Sequence, residues 1–188
     1  ENTIMPAASS RDSPNVSIRA PGPGDERAFL ALARASRALH ERWVRAPSTP
    51  AAFRLYLRRA DGRTTSFRGY VAVRDADGVL AGVLNLSEIV HGNFKSAYLG
   101  YYAFAGSVAG GHMSAALALV LDRAFGELKL HRVEANVQPA NVRSLEFLLR
   151  NGFTREGYSR RYLKIGGRWR DHVRFAILAE DWRARRRR

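Results

Sequence analysis

The most regular pattern in the chain is a run of apolar residues in its second half that recur every three or four positions. The run consists of Met113, Ala116, Leu117, Val120, Leu121, Ala124, Phe125 and Leu128. Residues with this spacing lie on one side of an α-helix. We therefore predict a helix over residues 113–128 with one buried face.

A second helical pattern lies near the N-terminus, and a third follows it. Asp25 is suited to cap the first of these helices, whose spaced positions are Phe29, Leu32, Ala33, Ser36, Leu39 and Trp43. The next helix is predicted over residues 48–62. Ser48 or Thr49 is suited to cap it, and Pro50 is well tolerated in its first turn.

Strands are predicted where apolar and polar residues alternate or where β-branched and aromatic residues cluster. These segments are 16–21, 67–78, 79–90, 96–104, 131–138 and two strands within 154–178. Asp77-Gly78 predicts a tight turn between the second and third strands, and Gly166-Gly167 one between the last two. A short helix over residues 139–153 separates the fifth strand from the final pair.

The elements occur in the order β-α-α-β-β-β-α-β-α-β-β. Strands that follow one another directly favour antiparallel pairing, whereas a strand–helix–strand succession favours a parallel pair. We predict an α/β (α+β) fold with one mixed, mostly antiparallel sheet of about seven strands and helices on both faces. This single domain is expected over residues 15–182, between a segment predicted to be disordered, 1–14, and a basic tail, 183–188. We expect the arginines of the tail to stay solvated and not to pack against the domain.

The chain is strongly basic. Lys and Arg total 31 against 17 Asp and Glu, which gives a net charge of +14, and five arginines lie within the tail. This charge favours polyanions such as RNA or the ribosome, and it also fits a basic surface that binds nothing. The absence of cysteine excludes disulfides and cysteine-ligated zinc and fits a cytoplasmic protein. No apolar run approaches the roughly 18 residues of a membrane span.

A glycine-rich segment precedes the central helix. Gly106, Gly110 and Gly111 lie within six residues, shortly before Met113. The unpaired N–H groups at a helix N-terminus bind phosphate, and glycine lets an oxygen approach the backbone closely. Taken alone, the segment predicts either a phosphate site or an ordinary turn.

Several motifs together resemble the GNAT acetyltransferases, and within them the RimJ/RimL-like N-terminal amino-acid acetyltransferases. Between Ser96 and Trp182 they are AYLGYYAF, AGGHMSAAL, HRVEANVQPANVRSLEFLLRNGFTREGY and RYLKIGGRWRDHVRFAIL. The resemblance implies a GNAT fold and an enzyme that transfers the acetyl group of acetyl-CoA (coenzyme A) to an amine. It also implies a monomer or a homodimer.

The resemblance further implies where acetyl-CoA is bound. In GNAT proteins the pantetheine arm lies between two diverging parallel strands, here 97–104 and 132–138, and the pyrophosphate lies at the following helix N-terminus. The implied contacts are Tyr102, Ala103 and Phe104 for the arm, Val108, Ala109, Gly110, Gly111, His112 and Met113 for the pyrophosphate, and Asn141 and Ser144 on the later helix.

Two residues are candidates for the proton transfers. Relatives of the RimL kind use the helix serine, here Ser144, to protonate the departing thiolate. Our candidate for the general base is Glu88, which ends strand 79–90. An α-amine with a pKa of about 8 needs only a weak base, so several residue types could serve. The rival candidates are His91, Tyr101, Asp171 and His172.

The sequence leaves the acceptor open. The leading hypothesis is a protein or peptide N-terminus, with that of a ribosomal protein as one candidate. The alternatives are a small amine, such as an antibiotic, an amino acid or a polyamine, and a degenerate GNAT fold that binds nucleic acid or senses a ligand. The basic surface disfavours cationic amines because it repels them.

Overall fold

The computed structural model describes residues 15–40 and 42–187. Its strands are β1 (Val16–Arg19), β2 (Phe67–Arg74), β3 (Leu80–Val90), β4 (Ser96–Ala103), β5 (Arg132–Val137), β6 (Thr154–Ile165) and β7 (Arg168–Leu178). Its helices are α1 (Glu26–Ala35), α2 (Arg37–His40), α3 (Pro50–Ala60), α4 (His112–Gly126), α5 (Val142–Arg150) and α6 (Ala179–Arg186). The segment 1–14, predicted to be disordered, lies outside the described residues.

The seven strands form one sheet in the order β1-β2-β3-β4-β5-β7-β6. Neighbouring strands pair antiparallel except β4 and β5, which are parallel because α4 crosses between them. The mixed, mostly antiparallel sheet is therefore confirmed. The hairpin predicted at Asp77-Gly78 is also present, with residues 75–79 as its loop and the Gly78 amide donating to the Arg74 carbonyl at 2.8 Å.

Helices cover both faces of the sheet, as predicted. On one face α4 buries its apolar side, including Leu117 and Leu121, against β1, β2, β3 and β5. On the other face Phe29 of α1 and Phe53 of α3 pack with ring centroids 4.8 Å apart, over residues of β2, β3 and β4. Each such fully buried side chain contributes about 1.5–3 kcal/mol, so these two layers hold the sheet in place.

The parallel pair β4–β5 separates partway along its length. Pairing runs from Ser96 with Arg132 to Tyr98 with Glu134 and then stops, although both strands continue. Beyond that point the facing edges of the two strands have no partner strand. A gap therefore opens in the middle of the sheet at the C-terminal ends of β4 and β5.

The first helix is shorter than predicted. It ends at Ala35 rather than near Trp43, because Ser36 interrupts it. The buried Ser36 hydroxyl donates to the Leu32 carbonyl at 2.7 Å and accepts from the Ala105 amide at 2.7 Å. The chain then turns into the short α2, which brings the segment after it to the gap between β4 and β5.

The two predicted helix caps differ in outcome. Asp25 does not cap α1, since its carboxylate instead pairs with Arg19 and accepts from the Gly22 amide at 2.7 Å. The hydrogen bond from Arg19 lowers the pKa of Asp25. Thr49 caps α3 as predicted, because its hydroxyl accepts from the Ala52 amide at 3.2 Å.

The basic tail is partly ordered, and the expectation that its arginines remain unpacked is wrong for two of them. It continues α6, where Trp182 donates to the Asp122 carboxylate at 2.8 Å. Arg185 donates to the Arg150 carbonyl at 2.8 Å, and Arg186 pairs with Asp122 at 3.1 Å. Among the helices of the described residues, none has the length and apolar character to cross a membrane.

Candidate active site

A cleft of about 620 Å³ occupies the gap between β4 and β5. Its walls come from α2 and the segment after it, from the ends of β4 and β5, from the start of α4, from α5 and from the β6–β7 hairpin. Of the residues implied for coenzyme binding, those that line the cleft are Tyr102, Ala103, Val108, Met113, Asn141 and Ser144, and those that do not are Phe104, Ala109, Gly110, Gly111 and His112. The cleft thus reaches both layers of the fold through the sheet.

The glycine segment forms the turn that leads into α4. Gly110 and Gly111 have φ angles of 84° and 75°, which L side chains rarely adopt, and Gly111 is the N-cap of the helix. No side chain caps this end of α4. Its first backbone N–H groups are therefore left without helical partners, as an anion site at a helix N-terminus requires.

The other loop residues divide into two groups. Val108 and Met113 line the cleft. Ala109 and His112 do not, and the His112 ring nitrogen Nδ1 lies 3.2 Å from the Ala109 carbonyl oxygen, beside the turn. The loop therefore meets the cleft at its two ends, with the glycines between them.

The end of β4 differs from expectation at one backbone group. Tyr102 and Ala103 line the cleft, whereas the Phe104 side chain is fully buried in the aromatic layer against Phe29. The Ala103 carbonyl, expected to be free, accepts a hydrogen bond from His40 Nε2 at 2.7 Å. Part of the strand edge is therefore already bonded by a side chain of the protein.

His40 was not singled out from the sequence. It is only 5% exposed, lies edge-on to the Tyr102 ring with centroids 5.0 Å apart, and lines the cleft. Because a carbonyl only accepts, Nε2 carries the proton, and Nδ1 is buried without a hydrogen-bond partner among the described residues. The helical spacing in the sequence selected Leu39 and Trp43 as positions of the buried face. It gave no indication that His40 contacts the Ala103 carbonyl.

Ser144 and Asn141 lie at the first turn of α5, on the cleft wall. Asn141 caps the helix, since its side-chain oxygen accepts from the Ser144 amide at 3.3 Å. The Ser144 hydroxyl lies 2.5 Å from the hydroxyl of Tyr101 on β4. Burial raises the pKa of Tyr101 well above its ordinary value, so this phenol remains protonated and can donate.

Three of the base candidates lie apart from the cleft or are engaged elsewhere. Glu88 is exposed at a bulge in β3, with φ of 49°, and is not among the lining residues, and neither is His91. The Asp171 carboxylate accepts from the Tyr158 hydroxyl at 2.5 Å and from the Arg161 amide at 2.7 Å. The Tyr158 hydrogen bond lowers the pKa of Asp171, which holds the irregular part of β6.

Two of the candidate bases line the cleft, Tyr101 and His172, and of these His172 has a neutral imidazole at pH 7. It is 3% exposed, and burial lowers the pKa of its imidazole. Its Nδ1 donates to the Arg170 carbonyl at 3.0 Å, which leaves Nε2 with the lone pair. A buried neutral imidazole with one nitrogen fixed as donor is arranged to accept a proton on the other.

The cleft carries positive but no negative side chains in the part of the chain that is described. Arg143 and Arg150 of α5 line it, and no Asp or Glu does. Within residues 15–40 and 42–187 there is also no group of three His, Asp or Glu side chains that could hold a metal ion. The site therefore suits an anionic ligand and proton transfer by hydroxyl and imidazole groups.

Comparison with known proteins identifies the architecture. Residues 15–154 match the family model described as an acetyltransferase (GNAT) domain. The chain is 42% identical over 106 residues to a probable N-acetyltransferase, YjcK, of Bacillus subtilis, covering 56% of this chain and 59% of that protein. It is 41% identical over 103 residues to the [ribosomal protein uS5]-alanine N-acetyltransferase of Escherichia coli, covering 55% and 53%.

A solved structure gives a longer match. RimJ of Mycobacterium smegmatis in complex with CoA-disulfide aligns with a TM-score of 0.81 and 32% identity, over 88% of this chain and 83% of that one. The match to each of the two curated relatives spans little more than half of its length. The family model covers most of the chain, so the resemblance inferred from the motifs is confirmed: this protein belongs to the GNAT acetyltransferase family.

Proposed function

We propose that this protein transfers the acetyl group of acetyl-CoA to the α-amine at the N-terminus of a protein. The observation that carries the proposal is the cleft between the separated ends of β4 and β5, with an uncapped, glycine-led helix N-terminus at one wall and His172 at another. The first feature suits a phosphorylated ligand. The second suits removal of a proton from an amine.

The residues fit acetyl-CoA in three respects. The unpaired edge of β4 offers backbone groups to an extended arm, and the start of α4 offers N–H groups to its pyrophosphate. Arg143 and Arg150 add cations on the α5 wall. Bound there, acetyl-CoA supplies an acyl group activated as a thioester.

The chain supplies the proton transfers. We assign His172 Nε2 as the acceptor of the proton that the amine nitrogen loses as it bonds to the acyl carbon. We assign the Ser144 hydroxyl, hydrogen-bonded to Tyr101, as the donor toward the departing sulfur. Glu88, the candidate from the sequence, would act only through intervening water because it lies outside the cleft lining.

The charge of the cleft favours an N-terminal amine over a polyamine. A polyamine carries several positive charges, which are stabilised by carboxylates, and none of the described lining residues has one. An α-amine has a pKa of about 8 and reaches its neutral form more readily than a lysine or polyamine amine. The relative that acetylates the alanine of ribosomal protein uS5 supports a ribosomal acceptor.

One assay distinguishes these acceptors. Peptides that begin with Ala, Ser or Met, together with spermidine and free amino acids, are incubated with acetyl-CoA, and released CoA is measured. We expect turnover of peptides only. Turnover of spermidine alone would contradict the proposal. Absence of any turnover, with no rise in melting temperature at millimolar acetyl-CoA, would favour the non-catalytic alternative. The rise in melting temperature is expected because acetyl-CoA at 100 times its Kd would stabilise the folded protein by about 2.7 kcal/mol.

Association with RNA or the ribosome is part of the proposal, and a second depression supports it. It has a volume of about 460 Å³ and is lined by Lys95, Lys129 and Arg183, none of which has an ion-pair partner among the described residues. One carboxylate, Glu180, lies there too, 3.6 Å from His131. A cytoplasmic location and a monomeric or homodimeric state remain predictions, the latter checked by analytical ultracentrifugation.

A further inference from the structure

The last strand of the hairpin carries basic residues on a single face. Arg168, Arg170, His172 and Arg174 alternate along β7, and alternate residues of a strand point to the same side. The residues at the intervening positions nearer the C-terminus, such as Val173, pack into the core on the opposite face. Arg168, Arg170 and Arg174 therefore lie on the same face of the sheet as His172.

This row of side chains leads out of the cleft. Arg170 is paired with Leu163 and Arg168 with Ile165 across the hairpin, and both apolar partners line the cleft together with His172. Paired residues of antiparallel strands share a face. The two arginines thus continue the cleft wall from His172 toward the turn of the hairpin.

A third cation stands across the turn from them. The Arg45 guanidinium approaches Gly166, where an added Cβ would lie 3.7 Å from its Nη2 atom. We call Arg45, Arg168 and Arg170 the basic rim. All three are exposed, and their guanidinium groups have no hydrogen-bond or ion-pair partner among the described residues.

We propose that the basic rim binds acidic side chains in the first few residues of the acceptor, so that the enzyme selects N-termini followed by Asp or Glu. This rests on the proposed function, because it concerns the polypeptide that enters the same cleft. An extended chain advances about 3.3 Å per residue. An acceptor that runs along β7 from His172 therefore brings its third and fifth residues level with Arg170 and Arg168.

The occupant is a peptide rather than RNA for a geometric reason. Binding of single-stranded RNA commonly combines basic groups with an aromatic ring on which a base stacks. The hairpin has two exposed aromatic residues, Tyr158 and Trp169, which are paired with Val173 and Lys164 and lie on the other face. The rim itself offers charge without a stacking platform, which fits carboxylates on a flexible chain.

The test compares three peptides that share an N-terminal alanine and differ at positions three and five, which are both Glu, both Gln or both Lys. For the unmodified protein at low salt we expect kcat/KM to be about 10-fold higher for the Glu peptide than for the Lys peptide. Each exposed charge pair is worth about 1.4- to 5-fold, and salt screens it. At 0.5 M salt the difference should fall below about twofold.

Variants locate the effect. In Arg168→Glu/Arg170→Glu the preference for the Glu peptide should reverse. In Arg168→Lys/Arg170→Lys, which keeps the charges, the preference should persist in weakened form. The Lys variant therefore keeps the proposal testable if the charge-reversed variant misfolds. The control Arg27→Glu/Arg58→Glu changes the net charge equally on exposed helix positions and should keep the original preference.

Each remaining outcome has a defined meaning. Equal turnover of all three peptides, or a preference that survives charge reversal, would overturn the basic rim and leave the proposed function standing. Turnover of none of them would overturn both. Inhibition of peptide turnover by single-stranded RNA in the unmodified protein, but not in the Glu variant, would reassign the rim to RNA.

Discussion

Two hydroxyls from different elements share a short hydrogen bond in the lining of the cleft. Tyr101 comes from β4 and Ser144 from α5, and their oxygens are 2.5 Å apart. The phenol also lies 3.3 Å from the Ser144 carbonyl oxygen and packs against the ring of Phe147, with centroids 4.9 Å apart. These contacts fix the position of the Ser144 hydroxyl before any ligand binds, which is the preorganisation that a proton donor requires.

Replacing Ser144 tests that assignment. Ser144→Ala should lower kcat by about 10²–10⁴-fold while leaving the Kd of acetyl-CoA nearly unchanged, because the contact with the departing sulfur strengthens only in the transition state. Tyr101→Phe should lower kcat less, and the double variant should be no worse than Ser144→Ala, since the pair acts as a unit. Rapid-quench kinetics measure the chemical step. A normal rate for that step in Ser144→Ala would remove the residue from the mechanism.

His172 predicts a particular pH dependence. Its pKa is lowered by burial below the ordinary value of about 6.5, so the ring is neutral at pH 7 and becomes protonated only at lower pH. The kcat at saturation should therefore fall as pH drops through a value below 6.5. The folded state should lose the associated stability over the same range, because protonation is easier in the unfolded chain.

The matched variant is His172→Gln, which keeps a hydrogen-bonding side chain but cannot act as a base. It should lower kcat by about 10²–10⁴-fold and abolish the acidic limb of the profile. His91→Gln, at a histidine outside the cleft lining, serves as control. An acidic limb that survives in His172→Gln would return the role of base to another group, with Glu88→Gln the next variant to measure.

At the scale of elements, the turn before α4 is the part of the site most sensitive to a single side chain. Gly111→Val should raise the Kd of CoA at least about 10-fold, because a β-branched residue at φ of 75° is strained by about 1–2 kcal/mol. Relief of that strain would shift the turn and move its N–H groups away from the positions that bind the pyrophosphate. Gly126→Val, the same change at the other end of α4, should leave the Kd unchanged because an added Cβ there meets nothing within 4 Å. Titration calorimetry measures both. If the two variants bind CoA with equal affinity, the glycine loop is an ordinary turn and does not bind the pyrophosphate.

Elements whose signals are local were predictable from the sequence, and contacts between distant segments were not. The Asp77-Gly78 turn and the buried face of α4 depend on residues within a few positions of one another. The break in α1 depends instead on Ser36, whose hydroxyl meets the amide of Ala105 across the fold. His40 owes its place to the carbonyl of Ala103 in the same way.

The candidate site shows the same division. Sequence motifs were enough to predict the site residues of the glycine loop and of α5. The choice among the candidate bases required the three-dimensional structure. The sequence analysis chose Glu88 and kept His172 as a rival, because nothing along the chain reports which strand end faces the cleft. Burial and the Arg170 carbonyl distinguish His172. The partner of Ser144 likewise required the approach of β4 to α5.

For the molecule as a whole, the basic depression allows RNA association to be tested without harming the cleft. Deleting residues 183–188 would remove Arg185, which bonds to the carbonyl of the cleft residue Arg150. Lys95→Gln/Lys129→Gln/Arg183→Gln avoids this and should make the plot of log K against log salt for RNA less steep by about two to three units. Peptide turnover should not change.

The control for this variant is a triple Gln substitution at the exposed Arg27, Arg58 and Arg63, which changes the net charge equally. Fluorescence anisotropy with labelled RNA across a salt series provides the measurement. If both triple variants show the same slope, RNA association follows from overall charge and the depression has no special part in it.

The separation of β4 from β5 has a consequence for the cohesion of the protein. Only three residue pairs join the half of the sheet built from residues 16–103 to the half built from 132–178. An extended ligand in the gap would act as an additional strand that bridges the two halves through hydrogen bonds. Under the proposed function, the acetyl donor is then a removable structural component of the sheet as well as a reactant.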